Sequence, residues 1–88
     1  MTQEQAYKIL EKEGYSDFHF VQLKPGEDPG PHTHERDTLQ IILAGELIIE
    51  DEQGIRSYIY EDRLKSPAGT SHTGMVGPEG ASFVAGFK

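Results

Sequence analysis

Residues 26–45, GEDPGPHTHERDTLQIILAG, set two histidines one residue apart between a turn rich in proline and glycine and an apolar strand. Side chains alternate sides along a strand, so His32 and His34 share a face and can grip one metal ion. His72 stands in a second stretch of the same build, SPAGTSHTGMV at residues 66–76, again after a Pro/Gly turn and before a strand-like run. Three of the four histidines thus lie at turn-to-strand junctions, which points to one shared site. The fourth, His19, has no partner at ligand spacing and reads as a structural or surface histidine.

Outward from this stretch the pattern is one of short strands. Three prolines and two glycines in the seven residues 25–31 exclude helix and interior strand, so this segment reads as a turn that delivers His32 into the next strand. TLQIILAG (38–45) and ELIIE (46–50) read as two apolar strands, with Ala44 and Gly45 as the reversal between them. Further strands are predicted over 17–24, 55–60 and 63–67, with a turn at 77–80 and a last strand over 82–87. Thr2 with Gln5 forms a capping box, Ala6, Ile9 and Leu10 form an apolar stripe, and Gly14 ends this helix, which is expected on the outside of the body. About eight strands and no second helix indicate a small antiparallel barrel or sandwich. The expected organisation is a single domain, with the helix over 1–14 and the barrel over 15–88.

An 88-residue chain holds one core. It buries only about 60–65% of the surface its unfolded form exposes, so support from dimerisation or a bound metal is expected. Fifteen acidic against eight basic residues give a net charge of −7, which argues against nucleic acid and anionic membranes as partners. Without cysteine, a metal site must use nitrogen and oxygen ligands. The first 15 residues have neither the basic start nor the apolar centre of a signal peptide, so the cytoplasm is the expected location.

The two histidine stretches resemble the paired motifs of the cupin family, a double-stranded β-helix or jelly-roll barrel. The first family motif is Gly, five residues, His-x-His, three or four residues, Glu, six residues, Gly. It is matched by Gly26, His32, His34 and Gly45, with Thr38 at the glutamate position. The second is Gly, five residues, Pro-x-Gly, two residues, His, three residues, Asn. It is matched by Pro67, Gly69 and His72, with Glu61 and Val76 in place of the glycine and the asparagine. The 15 residues between the motifs (46–60) resemble the short spacers of small microbial cupins.

The resemblance implies that His32, His34 and His72 line the barrel and bind one divalent transition metal ion, Fe, Ni, Mn, Cu or Zn. Imidazole nitrogen suits these ions at roughly 2.0–2.2 Å and leaves positions open for water or substrate. Thr38 brings no charge where the family has a carboxylate, so three histidines and the ion carry about +2 and favour an anionic or chelating ligand. In this the chain resembles the three-histidine cupins, among them dioxygenases that cleave diketones or oxidise cysteine. Glu35 or Asp37 could restore a carboxylate, but Gln40, on the face of Thr38, is the better pocket candidate. Ile42 is expected to continue that face, joined by Val76 and by either Ser82 and Val84 or Phe83 and Ala85. Tyr58 and Tyr60 are candidate hydroxyl donors or packed aromatics. The expected function is metal-dependent oxidation of a small polar or anionic molecule by a homodimer. The alternatives are a non-catalytic binding or sensor module and a zinc-dependent hydrolase or isomerase.

Overall fold

The computed structural model describes residues 1–27 and 30–88, and of residues 30–32 the backbone alone. Helix α1 (Gln3–Lys12) precedes six strands: β1 (Ser16–Leu23), β2 (Gly30–Thr33), β3 (Thr38–Asp51), β4 (Gly54–Tyr58), β5 (Arg63–Ser66) and β6 (Ser71–Phe87). All pairings are antiparallel, in the order β1-β6-β3-β4, with β2 added to β6 and β5 to β3. One helix and an all-antiparallel sheet are the architecture expected from the turn spacing.

Both ends of the helix follow from local chemistry. The Thr2 hydroxyl accepts the Gln5 N–H while the Gln5 side chain accepts the Thr2 N–H, the reciprocal capping box. At the other end Tyr15 N–H donates to the Leu10 carbonyl and Gly14 N–H to that of Glu11, with Gly14 at φ 91°. These are the two bonds of a Schellman motif. Ala6 and Leu10 are fully buried against Leu39, Ile41 and Val84, so the helix covers the outer face of β3 and β6.

The strand count differs from the expectation of about eight, because two expected turns lie inside long strands. Ala44 and Gly45 do not reverse the chain; β3 runs straight through them. The ladder between β3 and β6 shifts register between Ile42 and Ala44 and again between Gly45 and Leu47. Gly45 has φ 73°, and a Cβ there would stand 2.0 Å from the carbonyl oxygen of Gly80, so the two backbones meet where only glycine fits. The expected turn over 77–80 belongs likewise to β6, where Pro78 falls between the paired residues Val76 and Ala81 and removes no ladder bond. The segment read as a turn over 25–31 also departs from expectation, since Gly30 and Pro31 already belong to β2, which pairs on one side only. Asp28 and Pro29 of that segment lie outside the described residues.

These bulges invert which residues face inward. Before them Ile42 points into the barrel; beyond them Leu47 and Ile49 do so. Phe83 and Ala85 close the interior, with Val76 packed against it, while Val84 faces the helix. This selects between the two sets of last-strand wall residues left open by the sequence.

Candidate metal and ligand site

The backbone of β2 sets His32 directly opposite His72 on β6. The side chain of His32, the expected third ligand, lies outside the described atoms. His34 follows β2 and is held by two backbone bonds. Its N–H donates to the Thr70 carbonyl at 3.0 Å, and its carbonyl accepts the Gly69 N–H at 2.8 Å. The Pro-x-Gly loop therefore does more than turn the chain, since it clasps His34 beside the strand that carries His72. Thr33 and Ser71 join the same edges through a hydroxyl pair at 2.7 Å.

The result is a close imidazole pair. The Nε2 atoms of His34 and His72 stand 3.3 Å apart, with ring centroids at 4.7 Å and planes tilted by 60°. His72 is 8% exposed and His34 half-buried. Two nitrogens bound to one ion at about 2.1 Å, with angles between a right angle and the tetrahedral value, stand roughly 3.0–3.4 Å apart. The spacing is that of a direct N–H···N hydrogen bond between the two rings, and it also matches two ligands of one divalent ion. Among the described residues, no three His, Asp or Glu side chains converge as a metal-binding group.

The carboxylates near His34 have other partners or face water. The Asp37 carboxylate accepts the Ala68 N–H at 2.8 Å, tying the two motif loops together, and Glu35 is exposed. Thr38 is buried, and its hydroxyl donates to the Arg36 carbonyl at 3.0 Å. Gln40 is 9% exposed, and its Oε1 has no hydrogen-bond partner among the described residues. Its register partners, Leu64 on β5 and Ala85 on β6, belong to the barrel interior, so the amide lies on the inner face. His19 is exposed, its ring edge-on to Phe87 with centroids 5.8 Å apart, in keeping with a surface histidine.

Two cavities flank the imidazole pair. One of about 560 Å³ is lined by His72, Tyr58, Leu64, Ser66 and Arg56 among others. The second, about 430 Å³, is lined by His34, Thr38, His19 and Phe87 together with the Asp17 and Arg36 ion pair. Tyr58 is half-buried against the core and also lines the larger cavity, whereas Tyr60 is exposed. Ser66 and Arg56 are the residues that motif reasoning passed over. Ser66 was accessible to period-2 reading, because Arg63–Ser66 alternates exposed and buried positions and places Ser66 opposite Thr38.

No family model and no curated protein sequence matches the chain. Solved structures do. A cupin superfamily protein from Desulfitobacterium hafniense superposes with a TM-score of 0.72 at 22% identity, over 84% of this chain and 68% of that one. An RmlC-like cupin from Shewanella frigidimarina gives 0.71 at 17% identity, over 80% and 62%. A protein of unknown function from Rhizobium leguminosarum gives 0.74 at 20%, over 80% and 66%. The chain thus spans about two thirds of the length of these structures. It has the double-stranded β-helix fold of the cupin superfamily, as the two motifs imply.

Proposed function

We propose that the chain is a metal-dependent cupin in which His32, His34 and His72 hold one divalent transition metal ion, and that it acts as a dioxygenase on a small polar or anionic molecule. The observation that carries this reading is the 3.3 Å approach of the His34 and His72 Nε2 atoms, beside a backbone that pairs His32 with His72. When bound, such an ion supplies Lewis acidity and, if it is iron, the redox chemistry of O2 activation. The protein's part is positioning. The Pro-x-Gly loop fixes His34, Thr38 leaves the site without an added negative charge, and the unsatisfied Gln40 amide offers an acceptor inside the barrel.

Elemental analysis of the protein purified from its native host tests the proposal, with His32, His34 and His72 jointly changed to Ala as control. About one equivalent of iron in the parent and none in the variant is the expected result. Zinc instead would favour hydrolysis or isomerisation. A parent that takes up none of Fe, Ni, Mn, Cu or Zn would leave a non-catalytic binding module as the better reading.

We also propose a homodimer. Ile55, Ile59, Tyr60 and Met75 are exposed, and β4 ends the strand order, so an apolar surface and a sheet edge lie open. Sedimentation showing only a 9.8 kDa species would contradict this. No helix among the described residues is long and apolar enough to cross a membrane, and we keep the cytoplasm as the proposed compartment.

A further inference from the structure

The larger cavity has a feature the histidines do not account for. In the β3/β4 ladder Tyr58 is paired with Leu47 and Arg56 with Ile49, and both partners are buried in the barrel interior. Cross-strand partners share a face, so Arg56 stands on the inner face, two residues from Tyr58 along the same strand. Both line the cavity with His72 and Ser66. Arg56 is exposed, so its register position brings a permanent cation to the mouth of the cavity and not into the packed interior.

Among the described residues Arg56 makes no ion pair. The guanidinium donates to one neutral acceptor, Gln53 Oε1 at 3.0 Å, and the two ion pairs among the described residues belong to Arg36 and Arg63. A guanidinium has five N–H donors in a planar fork that matches a carboxylate, so most remain for a ligand. Asp51, at the end of β3, and Glu52, on the turn after it, line the same mouth, as does Lys65, and Asp51 accepts the Gln53 N–H. Solvent screens these charges and that of Arg56 alike, so what sets Arg56 apart is the planar fork of its guanidinium.

We infer that Arg56 is a specificity residue, which receives the carboxylate of a small ligand whose other end reaches the histidine pair, with Tyr58 beside it. The inference rests on the proposed site as the place where the ligand ends, but the anion contact itself needs no metal. It narrows the ligand class to small monocarboxylates over their neutral analogues. Arg56 is exposed at the cavity mouth, so its replacement leaves the core intact.

The test is calorimetric titration with pyruvate and benzoate against pyruvamide and benzamide, on the full chain with and without added zinc, and on Arg56→Gln. The expected result is that at least one acid binds about tenfold or more tightly than its amide, and that Arg56→Gln removes this preference while metal content and melting temperature stay unchanged. An acid and amide bound equally, a preference that survives in Arg56→Gln, or no binding of either acid would each overturn the inference. An Arg56-dependent preference that persists in protein unable to take up metal would uphold it while the metal reading failed, which separates the two.

Discussion

The two faces of the β3/β6 ladder near its Thr38 end are buried alike and built from opposite chemistry. The outer face, under α1, is Leu39, Ile41 and Val84 against Ala6 and Leu10, apolar throughout. The inner face of the same stretch begins with Thr38 and Gln40, with Ser66 opposite Thr38, and these are 2%, 9% and 3% exposed. Burial by itself therefore does not explain the inner row. Apolar side chains at those positions would pack without leaving an amide oxygen unsatisfied, which costs about 1–3 kcal/mol. The outer face is what a core looks like when stability alone shapes it, and the inner face shows a departure of the kind expected at a ligand site.

The two faces are most sensitive to substitution where the long strands touch. Gly45→Ala forces a Cβ into the Gly80 carbonyl in a residue already at positive φ, and a loss of about 3 kcal/mol or more in urea unfolding is expected. Leu10→Ala removes the anchor of the outer face and should cost about 2–4 kcal/mol in the same assay, without changing metal uptake. Gln40→Met is the sharper probe of the inner face. It should leave stability unchanged or raise it by about 1 kcal/mol while weakening ligand binding, and a loss as large as that of Leu10→Ala would place Gln40 in the structural core. The smallest effect is expected at Glu61, which adopts φ 71° where the family motif has glycine. Relieving that left-handed conformation, Glu61→Gly should stabilise by about 0.5–1 kcal/mol after the entropy of the unfolded glycine is counted, again read from urea midpoints.

Much of this was legible in the sequence, and the reasons differ by region. The capping box and Gly14 locate the helix because their signals are local. The motif spacing located the histidine pair because the Pro-x-Gly loop that clasps His34 is itself part of the motif. The turn readings at Ala44 and Gly45 and at 77–80 failed for a shared reason. Glycine marks a positive φ in a reversal and in a bulge alike, and only the partner strand distinguishes them. The same bulges change the inward parity between Ile42 and Leu47, so alternation alone could not choose between Ser82/Val84 and Phe83/Ala85. Arg56 carries no local signal, because its inner-face register follows from pairing with Ile49 on another strand.

A metal site at the buried polar end of the barrel would tie the fold's stability to the ion. The most direct test is thermal unfolding of metal-stripped protein with Fe(II), Ni(II), Mn(II), Cu(II) or Zn(II) added, for the parent and for His34→Ala with His72→Ala. An ion that binds only the folded state at about a hundred times its dissociation constant stabilises it by about 2.7 kcal/mol, an upward shift of several degrees in a domain of this size. That shift is expected in the parent with at least one of the ions, and its absence in the double variant. A parent whose melting temperature rises with none of the five, or a double variant that shifts as much as the parent, would contradict it.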